Sequence, residues 1–114
     1  MLALLLLVTV GCTADREPGD ITVRELAARP NDYEGKRVAV IGYYSSAMEE
    51  SAMYDSTSTG PENAFAIWVR PGWRSWLCQA ANRYVRAVGI FHHRPHDPVY
   101  SGELSDITFF RPLR

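Results

Sequence analysis

The chain has 114 residues, 46% of them hydrophobic and 11% aromatic, which allows one packed domain and leaves no room for two. Its net charge is −1, from 12 basic and 13 acidic side chains, which argues against a general polyanion binder. The charge is unevenly placed, however: residues 12–63 sum to −5 and residues 64–114 to +4.

Residues 2–10 form an uncharged apolar run directly before Gly11 and Cys12. Spanning a bilayer takes about 20 residues, so the run is too short for that, but it fits the apolar region of a signal peptide. The stretch Thr9-Val10-Gly11-Cys12 resembles a bacterial lipobox, with Thr9 where that motif usually has Leu. The resemblance implies that Cys12 becomes the acylated first residue of the mature protein. Residues 1–11 are then a lipoprotein signal peptide, 12–20 a polar tether, and 21–114 the domain. It also implies an address, the periplasmic side of a bacterial cell envelope, with the membrane as partner through lipid on Cys12. Cys78 is left without a disulfide partner and reads as a small buried residue.

The domain opens with a predicted short helix over residues 21–29. Thr22 caps it, Glu25 three residues later completes a capping box, and Ile21 is placed to staple onto Leu26. Pro30 ends it, and residues 31–35 form a turn that folds Tyr33 back onto the core. Residues 36–44 are the central strand. Val38, Val40, Gly42 and Tyr44 take one face, and Arg37, Ala39, Ile41 and Tyr43 the other, both mostly apolar. Gly42 marks the place for a bend. An echo of this strand returns at residues 83–91, with the same Val-x-(Val/Ala)-x-Gly-x-aromatic order. Two bent strands of one design predict a small closed or nearly closed barrel.

Between the two echoes, a short strand is expected near residues 51–54, followed by a polar loop to Glu62 whose spacing matches no calcium loop. Residues 63–70 read as a strand with Phe65, Ile67 and Val69 inward and Ala64, Ala66, Trp68 and Arg70 outward. Trp73, Trp76, Leu77 and Ala80 then recur at helical spacing, a stripe suited to plugging one end of a core. After the second echo come a loop over residues 92–98 and a last strand over 102–110.

Three strands, a helix and two strands is the order of the OB-fold, so the predicted class is mainly β, a single five-stranded OB-like barrel. Leu26, Pro30, Tyr33, Gly35-Lys36, Val38, Val40 and Gly42 together resemble the opening of a group of small OB-like bacterial envelope proteins, many of them lipoproteins. In that group an acidic residue precedes an Ala-(Met/Leu)-Tyr step and an Ile-Trp strand follows. Here these are Glu49 or Glu50, Ala52-Met53-Tyr54 and Ile67-Trp68, and the close from Tyr100 to Ile107 also fits. These motifs place turns and core residues. They carry no catalytic residue and no cofactor.

Two groups of residues are candidates for a site. His92, His93, His96 and Asp97 hold all three histidines of the chain within five positions, a suitable ligand set for zinc, nickel or copper. The outward Trp68 and Arg70 lie on the face that OB-folds use for binding, with Glu49, Glu50 and the histidine loop at its rims. No nucleophile, metalloprotease or phosphate-loop motif occurs, so an enzyme is not expected. The reading is a lipid-anchored module that binds an envelope protein or glycan. The alternatives are a cytosolic single-strand nucleic-acid binder, which the export signal disfavours, and an envelope metal-binding protein.

Overall fold

The two echoing stretches pair with each other. In the computed structural model, which describes residues 18–46, 50–57, 66–70 and 82–113, the elements are β1 (Asp20–Thr22), α1 (Val23–Ala28), a 3-10 turn (Pro30–Asp32), β2 (Arg37–Ser45), β3 (Ala52–Tyr54), β4 (Ala66–Val69), β5 (Arg83–His93) and β6 (Gly102–Pro112). β2 and β5 run antiparallel with Val38 opposite Gly89, Val40 opposite Ala87, and Gly42 opposite Val85. Each strand's glycine therefore faces the other strand's valine, and the echo in sequence becomes a near-twofold pair in space.

The remaining pairings close the sheet. β2 pairs with β3 and β3 with β4, both antiparallel; β4 pairs with β6 in parallel, and β6 returns antiparallel to β5. This ring of five strands, with its one parallel contact, is a closed Greek-key barrel of OB topology. Among the described residues closure leaves only β1, which adds in parallel to β2, as an outer strand. The fold is therefore mainly β, as the strand echo predicts. β1 itself is not legible in the sequence, because Asp20-Ile21-Thr22 is too short a run for its alternation to mark a strand. It also straddles the end of the expected tether and the start of the expected helix, whereas α1 begins at Val23.

The two glycines shape the barrel for different reasons. At Gly42 a side chain has no room: a Cβ would lie 2.7 Å from both the Tyr54 carbonyl oxygen and Val23 Cγ2. That gap lets α1 lie against the barrel. Val23 and Leu26, the buried residues of the helix, enter the same core as Val38, Val40 and Tyr44. At Gly89 the β5–β6 register shifts, and a Cβ would lie 2.6 Å from the Ser105 carbonyl oxygen. There the glycine permits the bulge that bends β5.

α1 has only six residues, far fewer than an isolated helix needs, so capping and packing hold it. The expected capping box is present: the Thr22 hydroxyl accepts from the Glu25 N–H at 3.0 Å, and Glu25 accepts from the Thr22 N–H at 2.9 Å. Tyr33 packs back on the core, as its place in the turn predicts. Among the described residues every buried side-chain polar atom has a hydrogen-bond partner. Ser51 donates its one hydroxyl proton to the Val69 carbonyl at 2.8 Å, so the Tyr44 hydroxyl, 2.7 Å away, donates to Ser51. That buried chain ties β2 to the start of β3 and to β4. The expected signal segment with Cys12, Phe65, and the expected plug helix over 73–81 with Cys78 lie outside the described residues.

Candidate functional site

The pleat of β3 and β4 builds the outer face. Met53, Ile67 and Val69 point into the core, so Ala52, Tyr54, Ala66 and Trp68 point outward. They form a second apolar cluster on the outside of the barrel. Trp68 is half-buried there because Tyr100, from the loop before β6, packs edge-to-face against it with ring centroids 5.2 Å apart.

Tyr100 is fixed by two devices. Its hydroxyl donates to Glu50 Oε2 at 2.8 Å, and the Tyr54 hydroxyl donates to the same oxygen at 2.5 Å. Its backbone is held by Asp97, whose Oδ1 accepts from the Val99 and Tyr100 N–H groups at 2.8 and 2.9 Å. This is an Asx turn, the role that Asp before Pro98 suits. Those N–H groups, Tyr100 first, hold the Asp97 carboxyl below its ordinary value. Burial, and then the hydrogen bond to Glu50, push the Tyr100 phenol well above its ordinary value of 10.

A group with a raised folded-state value contributes stability fully below its unfolded value and loses it as pH rises. The Tyr100 contribution is therefore intact below about pH 10 and lost above it. The wild-type melting temperature should fall more steeply above pH 10 than that of Tyr100→Phe, measured by circular dichroism across pH 8 to 11, ordinary phenol range.

Beside the aromatic pair runs a chain of charges. Glu103 sits across from Trp68 on β6 and accepts from Arg70 Nε at 2.7 Å and from Arg94. Arg94 also reaches Asp97 Oδ2 at 3.2 Å. Arg70 keeps 58% of its side chain exposed, so it is the accessible end of this chain. Together the site presents Trp68 and Tyr100 rings, two guanidinium groups and the carboxylates Glu50, Asp97 and Glu103.

The four proposed metal ligands are not brought together. His92 and His93 belong to the end of β5, not to a loop. Both meet Glu34: the His92 ring Nδ1 lies 3.0 Å from Oε2, and the His93 N–H donates to Oε1 at 2.6 Å. The His93 N–H, and then the His92 ring, lower the Glu34 carboxyl. His96 is exposed, and both Asp97 oxygens are engaged as described. Among the described residues no three His, Cys, Asp or Glu side chains form a metal-holding group.

Trp68 and Arg70 are on the outer face where the alternation of β4 puts them, and Glu50 joins that face through its hydrogen bond from Tyr100, the ring packed on Trp68. Glu49 lies outside the described residues. What the β4 pattern alone misses is Tyr100 and its support by Glu50 and Tyr54. The Asp97-Pro98 turn signal ahead of a tyrosine was the available clue.

No protein-family model and no curated protein sequence matches this chain. Sixteen chains of solved structures are similar to it. One belongs to the Stn1–Ten1 complex of S. pombe, at 9% identity and a TM-score of 0.47, over 86% of this chain and 78% of that one. The OB topology rests on the strand pairings given above.

Proposed function

We propose that this protein is a non-catalytic binding module of the bacterial envelope, anchored through lipid on Cys12, that takes an uncharged glycan or polypeptide segment on the Trp68–Tyr100 face. The observation that carries the reading is the composition of that face. A half-buried aromatic pair offers an apolar plane, and the Arg70–Glu103–Arg94–Asp97 chain beside it offers donors and acceptors. Sugar rings and peptide groups need both kinds of contact. Two guanidinium groups against three carboxylates leave the face at −1 by formal charge, which disfavours a phosphate backbone. The single-strand nucleic-acid alternative therefore finds no support on this face.

Titration of the labelled protein with a β-1,4-linked N-acetylglucosamine tetramer, and separately with an oligothymidylate, tests the reading by NMR. The glycan form predicts shifts for the Trp68 indole and Arg70 with the sugar, weakened at least tenfold in Trp68→Ala by loss of a large contact, worth about 1.5–3 kcal/mol. Shifts of that face with oligothymidylate instead would replace this reading by the nucleic-acid one. A face silent to the sugar would leave only the polypeptide form.

A further inference from the structure

Three large apolar side chains are more than a third exposed among the described residues, and all three lie together on the far side of the barrel. They are Tyr84 at 43%, Phe109 at 37% and Leu113 at 37%. The β2–β5 and β5–β6 registers put them on one outer face with Tyr43, Arg86 and Arg111. Tyr43 meets Tyr84 edge-to-face at 5.4 Å, and the Arg86 and Arg111 guanidinium groups lie 5.2 and 5.8 Å from the centre of the Phe109 ring. Asp20 reaches this cluster, paired with Arg86 at 2.7 Å. The basic excess of residues 64–114 is thus partly gathered here, around exposed rings.

We infer that this face rests on an anionic membrane surface. Two observations favour a bilayer as the occupant. The first is chemistry: tyrosine and phenylalanine rings flanked by arginines are the side chains that settle at a headgroup boundary, ring inward and cation toward phosphate. The second is chain geometry. Asp20 is fastened to this face by Arg86 and by β1–β2 pairing, and it lies only eight residues after Cys12. At about 3.3–3.6 Å per extended residue, an anchor at Cys12 holds the face within roughly 30 Å of the bilayer. Where the chain enters the barrel, a groove of about 230 Å³ is lined by Gly19, Asp32, Tyr33, Lys36 and Arg37.

The inference shares with the proposed function only the placement of the chain at a membrane. The full chain carrying Cys12→Ser removes the lipid from the test, and its binding is measured by co-sedimentation with vesicles. Phosphatidylcholine vesicles with and without phosphatidylglycerol are compared. The apolar N-terminal run is common to every variant, so differences between variants report the face. Stronger binding to the phosphatidylglycerol vesicles is expected. Arg111→Ser should weaken it by about fivefold, the effect of one surface arginine. Arg24→Ser, which makes the same charge change beside Asp55 on another side of the barrel, should leave it unchanged. Phe109→Ser should weaken binding to both vesicle types. Should Phe109→Ser fail to fold, the Arg111 and Arg24 pair still decides. Equal losses in Arg111→Ser and Arg24→Ser, or no loss in either, would overturn the inference. So would a concentration-dependent dimer that Phe109→Ser abolishes, because the face would then belong to a second copy.

Discussion

Phe91→Ala is expected to destabilise the domain by about 3–5 kcal/mol, among the larger costs a single truncation produces. Phe91 is fully buried in the core and sits where β5 meets the turn that feeds β2. Its N–H donates to the Lys36 carbonyl at 3.0 Å, and its carbonyl accepts from the Gly35 N–H at 2.8 Å. The backbone is thus fixed on both sides and resists collapse into the cavity. At roughly 4–8 °C per kcal/mol for a domain of this size, the melting temperature should fall by well over 10 °C. Calorimetry on the full chain measures it. A fall of only a few degrees would mean that the strand ends close around the gap.

Gly42→Val should be the second large effect, about 1–3 kcal/mol or more, because it inserts bulk where α1 touches the barrel. The two close atoms respond differently. Val23 Cγ2 is the end of a side chain and is removable, whereas the Tyr54 oxygen is backbone of β3. The double variant with Val23→Ala should therefore recover part of the stability and not all of it. Urea unfolding of the four proteins of that cycle gives the coupling directly. Full recovery would make the helix the sole obstacle, and no recovery would place the strain in the strand pairing.

The barrel was legible because its signals are local and repeated. Alternation in β2 and β5, a glycine at the same place in each, and a written-out capping box at Thr22 and Glu25 each specify their own segment. The site was legible only in part. Trp68 and Arg70 follow from the pleat of β4, but their surroundings depend on Glu50, Tyr54, Glu103 and Tyr100, which meet only when the barrel closes. The histidines show the opposite pattern. Clustering in sequence suggested one site, yet β5 runs on through His93, and Asp97 serves the turn instead. Gly42 shows a third pattern: its position was readable, while its reason, space for a helix from elsewhere in the chain, was not.

The proposed work of this barrel at a membrane surface depends on lipid at Cys12, and labelling of that residue decides it. Cells expressing the full-length protein would be fed a clickable fatty-acid analogue, and the wild type compared with Cys12→Ser. The wild type should carry the label and fractionate with membranes, and Cys12→Ser should carry none. An unlabelled wild type, or a label that survives the substitution, would contradict it.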